Sequence, residues 1–382
     1  MTSEPVPSPP AGYLDAVGGQ PLLPEAERAW RAAAGQAWSD PARLHHEGRR
    51  AGLVLDAART SLAASLGQVL GCSLRPDEVF LTTSGPTGVG VAVQALLEQG
   101  TSDRAVASAV ESLAVLSPAR RWAARLDLVP VSASGRVDLA AFTAALAEPA
   151  ALACLQAANG EVGTRQPVAE AAACARAAGV PLLVHAIQVV GREPVPEGWD
   201  VLVASARDWG GPAGVGVLVV RGHVRWTPEE NPDRGWVVGF PDVPGAAAAA
   251  SALDWLAPRM GDEADRARQL TAAIRDRLPS AAEGIVVAGD PDDRLPHIVT
   301  FTCEGVVGEV LVGELARRGY SVASGSACTS DVRMPSQVLA AMGLAADASV
   351  RVSLPFGVTD ATVEGFLDAL PDAVAAARGA LP

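Results

Sequence analysis

The chain has 382 residues, of which 49% are hydrophobic and 19% charged, and its formal net charge is −13. This composition predicts a globular protein with enough apolar residues for more than one domain. The acidic balance, with arginines scattered along the chain, disfavours binding to nucleic acids or anionic membranes. No apolar run approaches the about eighteen residues of a membrane span, so we expect a soluble, cytoplasmic protein.

The chain contains no lysine, and all 30 residues counted as lysine or arginine are arginines. This absence excludes chemistry that needs a lysine amine to bond a carbonyl carbon. The five cysteines show no CxxC spacing and form an odd number, which argues against a disulfide framework and a structural zinc site. We therefore expect no metal.

The elements predicted in chain order indicate an α/β protein. The first twelve residues are proline-rich and predict a flexible tail. Short apolar runs then alternate with alanine-rich stretches of helical periodicity, which is typical of a mostly parallel sheet that binds ligands at the carboxyl ends of its strands. The predicted strands are 79–82, 105–107, 151–155, 181–184, 201–204 and 215–220, and the helices between them include 90–98 and 167–178.

The pattern changes in the last third of the chain. Residues 222–244 predict a long loop, and a long helix is expected from about 246 to 277. Strands at 285–288 and 298–303, a helix, a further strand and final helices follow. We therefore predict three parts: a tail (1–12), a large α/β domain (13–245) and a small C-terminal α+β domain (246–382).

Several motifs occur in an order that identifies a family resemblance. They are Tyr13-Leu14-Asp15, Thr83-Ser84-Gly85-Pro86-Thr87, Asn159-Gly160-Glu161-Val162-Gly163-Thr164, Ala186-Ile187-Gln188, Gly210-Gly211-Pro212 and Ser324-Gly325-Ser326-Ala327-Cys328. Together they resemble the cysteine desulfurases, which are pyridoxal-phosphate (PLP) enzymes of the class V aminotransferase family. The resemblance runs from Tyr13 to the C-terminal region and implies the PLP-transferase fold type I.

Four positions depart from the family pattern. The resemblance places Asp208 where the family has its PLP-bearing lysine, and His185 where an aspartate holds the pyridine nitrogen protonated. Ser112 replaces the histidine that stacks on the ring, and Phe240 replaces a threonine that reaches the phosphate from a second subunit. We therefore expect the chain to have lost PLP-dependent catalysis and to need no cofactor, although Thr87, Asn159 and Gln188 can still hold PLP weakly without a covalent bond.

Two functional residues of the family pattern remain. Cys328 occupies the position of the persulfide-forming cysteine, and a thiol in a glycine- and serine-rich segment can accept sulfur from another protein. The alternative is an inherited cysteine with no present role. Arg351 matches the arginine that binds the substrate carboxylate. Its alternative role is an ion pair with Asp208 or another buried carboxylate.

These residues favour a desulfurase-like protein of sulfur trafficking that is not an active PLP enzyme. It would carry persulfide as a sulfurtransferase component or act as the partner of an active desulfurase. The resemblance implies a homodimer, or a heterodimer with a lysine-bearing paralogue, and a sulfur-acceptor protein. The alternatives are altered chemistry in the former PLP pocket, either with noncovalent PLP or by hydrolysis with Ser112, His185 and Asp208, and a small-ligand sensor. The hydrolytic alternative requires hydrogen bonds among its three residues.

Overall fold

A computed structural model describes residues 6–227, 234–325 and 335–380. Its strands are β1 (Val79–Thr82), β2 (Arg104–Ser108), β3 (Arg125–Val129), β4 (Leu152–Gln156), β5 (Leu182–His185), β6 (Val201–Ser205), β7 (Gly216–Val220), β8 (Ile285–Ala288), β9 (Ile298–Cys303) and β10 (Ser349–Ser353). The helices are α1 (Pro24–Ala34), α2 (His46–Leu70), α3 (Gly85–Gln99), α4 (Leu113–Trp122), α5 (Leu139–Ala145), α6 (Val168–Ala177), α7 (Val243–Leu256), α8 (Met260–Ala281), α9 (Gly308–Arg317), α10 (Gln337–Ala341) and α11 (Asp360–Gly379).

The larger sheet has seven strands in the order β1-β7-β6-β5-β4-β2-β3. The pairs from β6 to β3 are parallel, and β7 runs antiparallel to both of its neighbours. The predicted α/β class with a mostly parallel sheet is therefore confirmed. Sequence analysis missed β3 because this edge strand has a single buried residue and carries Arg125 and Asp127 among its apolar residues.

The helices cover the larger sheet through an extensive apolar core. The strands β2, β4 and β6 are buried at every position, which is the pattern of a parallel sheet covered on both faces. Helix α7 is alanine-rich and packs with α1 and α2, since small side chains let helices approach closely. Trp209 is fully buried in this core, and its indole N–H donates to the carbonyl of Ala249 at 3.1 Å. It fills the space beneath α7 and does not enter the cavity described below.

A smaller antiparallel sheet, ordered β10-β9-β8, forms the second layer of the molecule. Its core includes residues of α8, α9 and α11. The N-terminal segment also joins this layer, because Tyr13 and Asp15 form bridges with Ser321 and Ser353 and Leu14 is fully buried there. The sequence analysis placed Tyr13 to Asp15 in the large domain (13–245). In the structure their bridges are with residues of the small domain.

The long helix predicted over 246–277 is two helices. Residues 257–259 form a single 3-10 turn between α7 and α8, and Pro258 lies in it. Proline lacks the N–H that an uninterrupted α-helix needs, which fits the 3-10 turn between the two helices. Since α7 packs in the large core and α8 in the small one, packing changes near Met260, later than the division expected after residue 245.

None of the helices in the described ranges is both long and apolar enough to cross a lipid bilayer.

Candidate active site

The candidate site is a cavity of about 250 Å³ at the carboxyl ends of the parallel strands. Strands β4, β5 and β6 end at Gln156, His185 and Ser205, and these three side chains line the cavity. Parallel strands bring their carboxyl ends to one edge of a sheet, which explains how residues so distant in sequence meet. The first turn of α3 closes another side of the cavity with Ser84 and Pro86.

The start of α3 faces the end of β6 at close range. Ser84 precedes the helix, and its Oγ accepts a hydrogen bond from the backbone N–H of Thr87 at 3.1 Å. Across the cavity wall, a Cβ on Gly85 would lie 3.1 Å from Cβ of Ser205, so the glycine permits this approach. Ser205 and Arg207 also line the cavity. A helix start, two hydroxyls and a guanidinium form a suitable environment for an anion.

Asn159 has a structural role beneath the cavity. Its Nδ2 donates to the carbonyl of Val110 at 3.0 Å, and its Oδ1 accepts from the backbone N–H groups of Glu161 and Val162 at 2.8 and 2.9 Å. Gln156 donates to the same Val110 carbonyl at 2.7 Å. Asn159 therefore lines the cavity as expected, but its amide is occupied in holding the turn that carries Glu161.

Glu111 places a buried carboxyl group in the cavity wall. Its side chain is fully buried, and Oε2 accepts the backbone N–H of Gln156 at 2.9 Å. Oε1 has no hydrogen-bond partner among the described residues. Burial raises the pKa of Glu111 to about 8, so the group is mostly protonated at neutral pH and can donate a hydrogen bond.

His185 is neutral at the end of β5. Burial lowers the pKa of its imidazole to about 4, and its Nε2 has no hydrogen-bond partner within the described part of the chain. A neutral imidazole cannot stabilise a protonated pyridine nitrogen as an aspartate does. That His185 takes the place of the family's aspartate stays a prediction.

Asp208 lies just behind the cavity wall. Its Oδ1 accepts a 2.8 Å hydrogen bond from Nε2 of Gln188, which does line the cavity. Its Oδ2 lies 3.9 Å from Nε of Arg207, and the charge of Arg207 together with side-chain contacts from Gln188 and Ser205 favours the ionised form. Burial raises the pKa of Asp208 to about 6. The carboxylate of Asp208 thus orients the Gln188 side chain in the cavity wall and adds negative charge behind it.

The three residues of the hydrolytic alternative do not form a triad. Ser112 Oγ accepts the backbone N–H of Ala114 at 3.2 Å and caps α4, while Asp208 is bonded to Gln188. His185 Nε2 is bonded to neither of them. Because proton transfer along a triad needs hydrogen-bond contact, this alternative has no support from the geometry.

Three further predicted residues lie outside the cavity wall. Thr87 completes the cap of α3, and Phe240 is 65% exposed. Arg351 is buried, and its Nη2 pairs with Oδ1 of Asp15 at 3.1 Å. The ion-pair partner of Arg351 is thus Asp15, whose side chain is half-buried, and no ion pair joins Arg351 to Asp208 among the described residues.

Cys328 lies outside the described residues. The chain after it returns to the cavity at Gln337, which lines the cavity and donates from Nε2 to the carbonyl of Glu111 at 3.0 Å. On the N-terminal side, the backbone N–H of Gly325 donates to Ser349 Oγ at 3.3 Å.

Sequence analysis missed seven polar residues of the cavity: Ser84, Glu111, Gln156, Glu161, Ser205, Arg207 and Gln337. Glu111 comes shortly after the predicted strand 105–107, and Ser205 directly follows the predicted strand 201–204. Their position near strand ends is the signal that could have identified them. The burial that makes Glu111 and Glu161 chemically unusual comes from distant segments and leaves no local pattern in the sequence.

Comparisons with known proteins agree with this geometry. The description "Aminotransferase class-V" fits residues 20–366. A cysteine desulfurase of Cereibacter sphaeroides is 32% identical, over 97% of this chain and 97% of that protein. An IscS-like cysteine desulfurase of Mycobacterium tuberculosis is 32% identical, over 96% of this chain and 97% of that protein. A solved structure of a NifS-like protein has a TM-score of 0.85 at 23% identity, covering 96% of this chain and 99% of that one.

Fold and site thus define a class V aminotransferase protein with the PLP-transferase fold type I. Within that class, the chain belongs to the cysteine desulfurase family, whose role is in sulfur transfer.

Family membership corrects one expectation. The chain was expected to need no cofactor, but cysteine desulfurases are PLP-dependent, and the relatives point to PLP as the cofactor of this pocket. The chain's own residues fit this group at one end: Ser84, Ser205 and Arg207 suit its phosphate. At the other end they do not fit, because the chain has no lysine to bond the aldehyde and Asp208 stands behind the wall.

Proposed function

We propose that this protein works in sulfur transfer without PLP-dependent cysteine desulfurase activity of its own, and that Cys328 carries sulfur as a persulfide. The observation that carries the proposal is the absence of lysine from the entire chain. Without a lysine amine the chain cannot hold an aldehyde cofactor covalently or use that amine as a base. The neutral imidazole of His185 supports the same conclusion, since it does not promote a protonated ring. The proposal concerns catalysis and leaves open that PLP binds.

The carrier step needs no cofactor. The thiolate of Cys328 attacks the terminal sulfur of a donor persulfide, a new S–S bond forms on Cys328, and the donor leaves as a thiolate. The electrons balance without an added oxidant or reductant. A sulfur-acceptor protein would then remove the terminal sulfur by the same exchange. The protein would act as a sulfurtransferase component or as the partner of an active desulfurase.

We infer a twofold dimer as the working assembly, either of two copies or with a lysine-bearing paralogue. Such oligomers are usually symmetric, and large apolar side chains are exposed along the first helices of this chain. In the heterodimer the paralogue would supply the desulfurase chemistry, and this chain would supply a sulfur acceptor in Cys328.

One experiment with two arms tests the proposal. In the first, the protein and its Cys328→Ser variant are incubated with a low-molecular-weight persulfide, and intact mass is measured. We expect an addition of about 32 Da, one sulfur atom, that Cys328→Ser lacks and that dithiothreitol removes. Cys303→Ser is the matched control, because Cys303 is buried and burial raises its pKa. An adduct that persists in Cys328→Ser would contradict the carrier role.

In the second arm, alanine release from free cysteine is measured with PLP added, beside a lysine-bearing relative. We expect the relative to release alanine and this protein to release none above the cofactor alone. Release at the relative's rate would overturn the proposed loss of catalysis.

A further inference from the structure

A second cavity lies at the amino ends of the parallel strands, at the end of the larger sheet opposite the candidate active site. Its volume is about 490 Å³, which is within the usual range of small-molecule sites. Ala151, Pro181 and Asp200, which come directly before β4, β5 and β6, line it together with residues 223–225 after β7. We call it the amino-end cavity. Among the described residues it shares no lining residue with the candidate active site.

Part of the amino-end cavity is apolar. Leu96 in the last turn of α3, Val180 and Pro181 before β5, and Val224 after β7 line this part. Leu96 belongs to a buried apolar cluster of the larger sheet, and Val224 packs against that same cluster. This wall is therefore anchored in the core and can bury the carbon skeleton of a ligand.

Two arginines line the amino-end cavity without a carboxylate partner. Arg176, in the last turn of α6, and Arg225, after β7, are both exposed. Neither forms an ion pair within the part of the chain that the structure describes. Nη2 of Arg176 donates to the carbonyl of Gly198 at 3.4 Å, which is a long hydrogen bond. Both guanidinium groups are therefore available to a ligand.

The acidic side chain of the cavity already has partners. Asp200 is the one carboxylate among the described lining residues. Its Oδ2 accepts the backbone N–H of Leu182 at 2.8 Å, and its Oδ1 is 2.7 Å from Nε2 of His223. Two available guanidinium groups thus face the cavity beside one carboxylate whose two oxygens are both bonded within the protein. The lining favours an anionic ligand.

Two features oppose an anion here, and both are limited. Helices α3 and α6 end at the cavity, and helix C-termini carry partial negative charge. However, the carbonyls of residues 174–176 in α6 accept hydrogen bonds from the backbone N–H groups of residues 178–180. The net charge of −13 repels anions at long range, but salt screens exposed charges beyond about 8 Å at physiological ionic strength. The local guanidinium groups therefore dominate.

We propose that the amino-end cavity binds a phosphate ester of nucleotide size. Arg176 and Arg225 hold its phosphate groups, because a guanidinium matches phosphate oxygens with two parallel hydrogen bonds. The apolar wall of Leu96 and Val224 contacts the organic part, which an inorganic ion lacks. The inference concerns a second site and stands apart from the sulfur-carrying role of Cys328. The Cys328 mass experiment can therefore fail while this one succeeds, and the reverse.

Isothermal titration of the full chain with three probes tests the inference. The probes are ADP, adenosine and inorganic pyrophosphate, so that the organic part and the phosphates are each removed in turn. We expect ADP to bind about tenfold to a hundredfold more tightly than adenosine, since adenosine lacks the groups that the arginines hold. ADP should also bind at least about threefold more tightly than pyrophosphate. No binding of ADP, or binding of either other probe as tight as that of ADP, would overturn the proposal.

Variants locate the bound nucleotide. Arg176→Gln and Arg225→Gln should each weaken ADP binding about tenfold, because each removes one charged phosphate contact. Both side chains are exposed, so the variants should fold, which thermal unfolding checks. Arg120→Gln is the matched control, because Arg120 is exposed on α4 and has no ion pair in the described ranges. Arg207→Gln in the candidate active site should also leave ADP binding unchanged. Weaker binding in Arg207→Gln with normal binding in Arg176→Gln and Arg225→Gln would place the nucleotide in the other cavity and contradict the proposal.

Discussion

At the residue scale, the site is unusual because its ionisable groups are buried without matching charges. Glu111 and His185 lie in one cavity wall, and burial shifts both toward their neutral forms. Taking a charge out of water is costly, so each group changes its protonation state instead. The part of the wall that these two groups form is therefore polar but nearly uncharged at neutral pH. Asp208, with a pKa raised to about 6, is the group behind it that carries charge there.

Glu111 should make stability depend on pH. Its pKa is about 8 in the folded protein and near 4.5 when unfolded, so the folded state holds the proton more tightly. This contribution is complete below pH about 4.5 and is lost as pH rises through 8, by roughly 3 to 5 kcal/mol. Glu111→Gln, which stays neutral, should remove the loss. Urea unfolding of both proteins between pH 5 and 9 would show it; parallel pH curves would contradict the assignment.

At the scale of elements, the junction between β7 and α3 determines the shape of the anion-binding side. Gly216 begins β7, and a Cβ at this position would overlap the carbonyl group of Ser84. That carbonyl belongs to the backbone just before α3 and cannot move independently of the helix. The sheet thus holds the helix start in place through a contact that only glycine permits.

Gly216→Ala should therefore destabilise the fold by about 1–3 kcal/mol and displace the start of α3. Gly90→Ala is the control, because Gly90 lies inside α3 and no atom lies within 4 Å of the position that its methyl group would take. That change should leave stability the same or raise it by up to about 1 kcal/mol. Thermal and urea unfolding measure both effects. Equal stability of the two variants would contradict the requirement for glycine at position 216.

At the scale of the whole molecule, exposed apolar side chains concentrate near the N-terminus. Of the nine large hydrophobic residues exposed in the described ranges, five fall between residues 22 and 53: Leu22, Trp30, Trp38, Leu44 and Leu53. Single exposed hydrophobics are normal, whereas a contiguous apolar patch marks a surface that associates. This region is where we place the interface of the inferred dimer.

Leu53→Glu should shift the dimer toward monomer, because Leu53 is 70% exposed on α2 and a buried unpaired carboxylate is unfavourable at an interface. Val286→Glu, on β8 in the smaller sheet and 51% exposed, is the control and should not change the assembly. Sedimentation velocity over a range of concentrations distinguishes the two. An unchanged dimer in Leu53→Glu would place the interface elsewhere.

Much of the fold was accessible from the sequence because its signals are local. Strands such as 201–204 and 285–288 are short apolar runs, and the ordered motifs identified the family. The edge strand β3 was missed because its exposed charged residues interrupt the apolar pattern of a strand. The break at Pro258 was missed because helical sequence continues on both sides of it.

The sequence by itself determined that the chain contains no lysine, and the family resemblance predicts that Asp208 takes the place of the family's lysine. Only the tertiary structure decided what that aspartate does. Gln188 and Asp208 follow different strands, β5 and β6, and meet because parallel strands end at one edge of the sheet. Burial then sets the protonation of Glu111 and His185, and burial depends on segments far away in the chain.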